Sequence, residues 1–425
     1  MDKRKDIIIV SAYGRGNWLA TELATKDFSV GLVDVTTSMG RWAPDDWESP
    51  FGYFAIEGLD SIQTARLTED APQERVDQGF CVWLGNGLIE SKGPMFTHQI
   101  QQSGMSADVQ TYLAAGSRKV VAIDPKLAGW LRQQSFSENW LAQLSHNLSS
   151  NISCESTESL DFGAPLPVLA DHYLRRVSRD SLNKSLEWCQ KNGVSVFSGA
   201  KVNDVYLEGR SFGGVELTWE KSGVAQGRYL IWALTSEETQ RLPDSVHRLM
   251  FPRGFIDSEW SWTRFRFNLK TEYFFNNLPP HLVIIEDLFL PWSGTNTLIL
   301  QKGVSMGLVD VWLKIPSSQR FLKPYLQKLS DNILDILQRR MTGAEVSLEN
   351  FPQDYYYDYS EMGANPFPVY GETQIDSLYP AKIKNVFFDG PEQWMSLDWA
   401  GQFRSQEKIR DEIVEFREKE LRNTK

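Results

Sequence analysis

Asp6-Ile7-Ile8-Ile9-Val10-Ser11-Ala12-Tyr13-Gly14-Arg15-Gly16-Asn17-Trp18-Leu19-Ala20, carried on to Gly31-Leu32-Val33-Asp34, is the stretch on which the reading of this chain turns. A fully apolar run ends in a short glycine-bearing turn. The spacing predicts a helix from Asn17 to about Thr25, and a second apolar run from Phe28 to Val33 closes on an acid. Continuous apolar runs bracketing a helix are the pattern of a β-α-β unit whose strands are buried on both faces.

That spacing also suits a dinucleotide. A turn at a helix N-terminus offers free N–H groups to a pyrophosphate, and an acid about 20 residues on can accept from a ribose hydroxyl. Asp34 stands at the acid's place, although an ordinary strand-end acid is the plainer alternative. The turn departs from the pattern: the three glycine positions of GxGxxG fall on Ser11, Tyr13 and Gly16, so only the third is glycine. The second is where the backbone approaches the phosphates, and a tyrosine ring there stands in the way. Losing two or three backbone hydrogen bonds at about 1–1.5 kcal/mol each would weaken binding roughly a hundred- to a thousandfold. A shifted turn that uses Gly14 and Gly16, with Arg15 adding charge, would recover part of that loss. One loop beyond the acid, Arg41 is placed to reach a phosphate with its guanidinium fork.

At 425 residues the chain is long enough for two or three domains, and 41% hydrophobic residues with 15 Trp and 23 Phe predict a packed core. A net charge of −11 argues against nucleic acid or an anionic membrane as partner and favours a small molecule or another protein. The charged opening runs directly into the first strand, with no apolar stretch long enough for a leader or a membrane span, so a cytoplasmic location is expected. Cys81, Cys154 and Cys189 form no CxxC pair, and the five histidines show no ligand spacing, so no metal site is expected.

Further along, extended sequence is expected around Phe80-Cys81-Val82-Trp83-Leu84 and polar helical sequence over 93–151. An amphipathic helix over 171–192 is closed by Lys191-Asn192-Gly193, a good C-terminal cap. Short strands at 194–234 read as a β-meander beside the nucleotide domain. The alternating runs of 257–313, such as Trp260-Ser261-Trp262-Thr263-Arg264-Phe265-Arg266-Phe267, predict a mainly antiparallel sheet in a second domain. Another amphipathic helix is expected at 321–340. The tyrosine-rich stretch with Tyr355, Tyr356 and Tyr357 borders a pocket or is simply a packed loop. The chain closes on a strand and turn at 384–392 and a helix over 397–422.

Taken together these segments resemble the FAD-dependent amine oxidase, protoporphyrinogen oxidase and phytoene desaturase group. Asp6 to Asp34 looks like that family's FAD β-α-β unit, and Met39-Gly40-Arg41, followed by Trp42, looks like the tail of its GGR motif. The segment Gly199-Ala200-Lys201-Val202-Asn203-Asp204-Val205 is similar to its central segment, in which the residue at Val202 lies on the adenine side. Asn385-Val386-Phe387-Phe388-Asp389-Gly390 looks like its closing motif, with Pro391 where an acid is usual and Glu392 one residue late. Gly390 is alternatively no more than a turn glycine.

The resemblance implies an α/β fold: a Rossmann-like FAD/NAD(P)-binding domain (1–90, 155–245 and 372–425) with an α+β substrate domain (91–154 and 246–371) on a mainly antiparallel sheet. It implies FAD, in a weak or altered site, as cofactor. The residues it places there are Ser11, Tyr13, Gly14, Arg15, Gly16, Asp34, Gly40, Arg41, Trp42, Val202, Gly390 and Glu392. The activity implied is oxidation of an amine or C–H bond of a small apolar or aromatic substrate. The other reading is a non-catalytic relative that keeps the fold as a binding or scaffold protein. NAD as sole cofactor fits less well, because the closing segment has no role in a simple nicotinamide domain.

Overall fold

The computed structural model describes residues 4–12, 14–37, 74–75, 81–84, 87–90, 138, 142, 146, 175–176, 179–234, 236–252, 260–279, 281–291, 294–303, 306–350, 368–369, 383–389 and 398–423. The chain opens with β1 (Lys5–Ser11), α1 (Asn17–Ala24) and β2 (Val30–Asp34). Four short strands follow: β3 (Glu74–Arg75), β4 (Cys81–Leu84), β5 (Gly87–Glu90) and β6 (Arg175–Arg176). Next come α2 (Arg179–Lys191), β7 (Ser195–Ser198), β8 (Lys201–Glu208), β9 (Ser211–Trp219), β10 (Lys221–Ala233), α3 (Ser236–Gln240) and α4 (Asp244–Met250). The second half holds β11 (Trp260–Leu269), α5 (Glu272–Asn277), β12 (His281–Ile285), β13 (Thr297–Lys302), β14 (Leu308–Pro316), α6 (Lys323–Arg340) and β15 (Val346–Asn350). It closes with β16 (Pro368–Val369), β17 (Val386–Phe388) and α7 (Asp398–Asn423).

The first sheet has the order β7-β2-β1-β10-β9-β8, with β17 also paired to β10. β7, β2, β1, the C-terminal half of β10 and β17 run parallel. Strand β10 serves two ladders: Lys221 to Gln226 pair antiparallel with β9, and Gly227 to Ala233 pair parallel with β1. The expected meander at 194–234 is therefore corrected. Only β8, β9 and the start of β10 are joined antiparallel, while β7 and the end of β10 extend the parallel sheet.

Strand side chains alternate between faces, and both faces of this sheet are covered. Ile7, Ile9, Leu32, Ile231 and Phe387 pack with Trp18, Leu19 and Leu23 of α1, Cys189 of α2, and Ile409 and Ile413 of α7. Ile8, Val10, Val33, Leu230, Trp232 and Phe388 pack instead with residues of β8 and β9 and with Val246 and Met250 of α4. This two-sided burial is why β1 and β2 read as unbroken apolar runs.

The second sheet has eight strands, ordered β15-β11-β14-β13-β12-β4-β5 with β16 paired to β11. Its ladders are antiparallel except between β12 and β4. One face, with Phe265, Phe267, Val309, Val311, Leu313 and Ile315, is covered by Leu326, Leu329, Ile333, Ile336 and Leu337 of α6. Those five recur at helical spacing, and a proline in the first turn starts α6.

Two boundaries differ from expectation. β4 and β5 lie within the 1–90 assigned to the nucleotide domain, yet Cys81 to Leu84 pair with Leu282 to Ile285 in the second sheet. The expected helix at 171–192 begins only at Arg179, because Arg175 and Arg176 pair with Arg75 and Glu74 as strands.

Candidate active site

In an open parallel sheet, ligands bind beyond the carboxyl ends of the strands, where strand order reverses. Here that point lies at β1, which has β2 on one side and β10 on the other. The carboxyl ends brought together are Ser11, Asp34, Ser198, Ala233 and Asp389, the last residue following β17.

Gly16 caps α1, and its position is fixed by packing: a Cβ there would lie 2.8 Å from Ile9 Cγ2 and 3.0 Å from Ser11 Cβ. That is the third-glycine role, close helix-to-strand approach. Gly14 has φ 77°, a left-handed conformation that glycine adopts without strain, so the turn pivots on Gly14. Ser11, buried at the first motif position, turns its hydroxyl back into the turn, and the Gly16 N–H donates to Ser11 Oγ at 2.8 Å. The Arg15 N–H donates to Ala12 O and the Asn17 N–H to Gly14 O. Three N–H groups of the turn thus find acceptors within it.

Arg15 forms an ion pair with Glu238 of α3, the two side chains being only 11% and 12% exposed. α3 is held in place by the buried Trp232, whose Nε1–H donates to Thr239 Oγ1 at 2.9 Å. Opposite, Gln406 of α7 donates through Nε2 to Arg15 O and to Asp389 Oδ2, each at 2.6 Å. Asp389 has no exposed surface, and its own N–H donates to Trp232 O.

Asp34 is 7% exposed at the end of β2. Its Oδ1 accepts from the Thr36 N–H at 3.1 Å and from Thr36 Oγ1 at 2.5 Å, and its Oδ2 accepts from Ser198 Oγ at 3.3 Å. Each carboxylate oxygen has two acceptor positions, so these contacts orient the group without exhausting Oδ2. Val202 is fully buried in β8, within the core that contains Ile8, Val33 and Ala200. Tyr13, Gly40, Arg41, Trp42, Gly390 and Glu392 lie outside the described residues.

The structure therefore brings Ser11, Gly14, Arg15, Gly16 and Asp34 to one edge and places Val202 in the core beside it. It adds four residues that sequence reasoning did not nominate: Ser198, Glu238, Asp389 and Gln406. Asp389 had a visible signal, an acid directly after an apolar strand. Glu238 and Gln406 had none, standing 223 and 391 residues from Arg15.

Opposite α6, the second sheet carries a different face. The pairing of β11 with β14 sets Trp262 beside Lys314, Arg264 beside Trp312 and Arg266 beside Asp310. Arg266 donates to both oxygens of Asp310, at 2.8 and 3.0 Å, and Arg264 donates to Oδ2 at 3.2 Å. Lys314 Nζ lies 4.9 Å from the Trp262 ring centre. Near β13, His146 Nε2 donates to Leu288 O at 3.0 Å, which leaves Nδ1 to accept from Thr297 Oγ1 at 2.7 Å. Burial lowers the pKa of His146 below its ordinary value, outweighing the carbonyls of Leu288 and Leu290 and the charge of Asp287, which favours the neutral ring.

No family model matches the sequence, and no curated protein matches it. Solved structures do. An oxidoreductase from Methanosarcina mazei is 12% identical with a TM-score of 0.62, covering 95% of this chain and 100% of its own. The fold is shared with oxidoreductases. Wild-type putrescine oxidase bound to putrescine is 14% identical with a TM-score of 0.52, covering 97% of this chain and 99% of its own. Cyclohexylamine oxidase from Brevibacterium oxydans is 12% identical with a TM-score of 0.51, covering 98% and 100%. Near-complete coverage of both chains extends the likeness to both sheets, which supports the α/β architecture with a Rossmann-like domain. Among the described residues no helix is long and apolar enough to cross a membrane, and no group of three His, Cys, Asp or Glu side chains is placed to hold a metal.

Proposed function

We propose that this chain is an FAD-binding flavoprotein, an oxidoreductase acting on an amine or C–H bond of a small apolar or aromatic substrate. The observation that carries the reading is the convergence of the parallel strand ends on the α1 N-terminus. Gly16 is pressed against Ile9 there, and Asp34 closes β2. The residues fit the group at both ends of its adenine nucleotide. Asp34, oriented by Thr36 and Ser198, would accept from ribose hydroxyls, and Gly14, Arg15 and Gly16 form the turn where the phosphates would rest.

The flavin ring, when bound, supplies the hydride chemistry, while the protein binds, orients and excludes water. Asp389 and Gln406 tie β17 and α7 to the turn, so the site's floor is held by three separate stretches of chain. The second sheet would furnish the substrate side, its substrate a small molecule. The names of the putrescine and cyclohexylamine oxidases, which share the fold, support amine chemistry.

A second reading, a non-catalytic relative that binds a protein partner, is favoured by one observation: the Ser11 hydroxyl takes the Gly16 N–H. An absorbance spectrum of the purified protein, with release of FAD on heating, separates the two. A yellow protein that yields FAD supports the flavoprotein; a colourless protein that takes up no added FAD overturns it.

A further inference from the structure

We infer that Glu238 governs how tightly this chain holds the phosphates of its nucleotide, by occupying the guanidinium of Arg15 that would otherwise meet them. The inference rests on the flavoprotein reading and assigns a role to a residue which that reading does not use. Arg15 sits in the turn directly before Gly16, the cap of α1, where the helix dipole favours an anion. Its guanidinium is the one cation among the described residues of the turn, and Glu238 approaches it from α3, a different element. Both side chains are nearly buried, so solvent screens the pair little.

Arg15 paired to Glu238 offers an incoming phosphate a neutral pair in place of a cation. Asp389 at the end of β17 adds a second acid to the same edge, but Gln406 donates to it, and that amide links it to the Arg15 carbonyl rather than to the guanidinium. Glu238 is the acid that pairs directly with the guanidinium. Trp232 holds α3 through Thr239, which positions Glu238 beside Arg15.

The test compares the full-length natural protein with Glu238→Gln, a change that keeps the side chain's shape and removes its charge. FAD is titrated by flavin fluorescence, and ADP and adenosine by competition against it. The variant should bind FAD and ADP about tenfold tighter or more, because a full charge is removed beside an anion, while adenosine changes less than twofold. Adding Arg15→Met to the variant should abolish the gain. Glu238→Ser gives the same readout if the glutamine variant does not fold, and circular dichroism reports folding for each. Equal affinities for ADP in natural and variant proteins, with adenosine binding intact, overturn the role of Glu238 and leave the flavoprotein reading standing. Failure of FAD, ADP and adenosine to bind either protein overturns both.

Discussion

Replacing Gly16 with alanine tests the joint between α1 and the parallel sheet. The added Cβ would lie 2.8 Å from Ile9 Cγ2, 3.0 Å from Ser11 Cβ and 3.1 Å from Ser11 Oγ. Ile9 is fully buried between the sheet and its helices, in the cluster with Trp18, Leu19 and Ile409, so it has little room to retreat. Overpacking of this kind costs about 1–3 kcal/mol. Alanine is also a poorer helix cap than glycine, by a few tenths to about 1 kcal/mol. Against this stands the stiffer unfolded chain, which returns about 0.4–1 kcal/mol. The net expectation is a loss of about 1–3 kcal/mol, read as a lower urea midpoint by tryptophan fluorescence with the slope unchanged. Ile9→Ala costs about 2–5 kcal/mol alone, but it removes the clashing methyl, so the double variant should be more stable than the sum of the singles by about 1 kcal/mol or more. A Gly16→Ala protein as stable as the natural one, or strict additivity with Ile9→Ala, refutes the packing argument.

Asp310→Asn should destabilise the second sheet by about 3–5 kcal/mol in urea unfolding, because it leaves Arg264 and Arg266 buried beside a neutral amide. His146 makes stability depend on pH with a definite sign. Its folded pKa is lowered by burial, so the unfolded chain binds the proton first; the stabilisation is complete above about pH 6.5 and is lost as pH falls towards the folded value. Unfolding free energy should decline between about pH 7 and pH 5, and His146→Asn should flatten that slope if the imidazole causes it. Burial raises the Cys189 thiol to about 11, with Thr21 partly opposing, so it should resist iodoacetamide at pH 8 in the folded protein; Cys189→Ser should leave the labelling count unchanged.

The legible parts of the fold were those written locally. β1, α1 and β2 follow from apolar runs on either side of a turn, and α6 from a stripe repeating every three to four residues, because each pattern reports burial directly. The strand and turn expected at 384–392 contain β17 at Val386–Phe388, and the helix expected over 397–422 runs Asp398–Asn423. What escaped was pairing at long range. Cys81 to Leu84 has the same apolar character as β1, so nothing in its composition tells which sheet it joins; that is decided by its partner β12, some 200 residues away. The site divided along the same line. Asp34 and Gly16 were evident from spacing, whereas Glu238 and Gln406 are ordinary polar residues of helices that meet Arg15 only once the sheet has closed.

The motif's glycines also perform separable tasks, and this chain separates them. The third position serves packing: a side chain at Gly16 would disturb Ile9 in every state of the folded protein, so loss there is felt as instability with or without a ligand. The first position holds a serine whose hydroxyl accepts from the Gly16 N–H, a contact that ties the turn to β1 while taking a donor from any phosphate. Gly14 supplies the left-handed residue of the turn. A glycine count therefore reports on the fold more faithfully than on the cofactor. The charge beside the turn is set separately, by Arg15 and the carboxylate of Glu238 that pairs with it from α3.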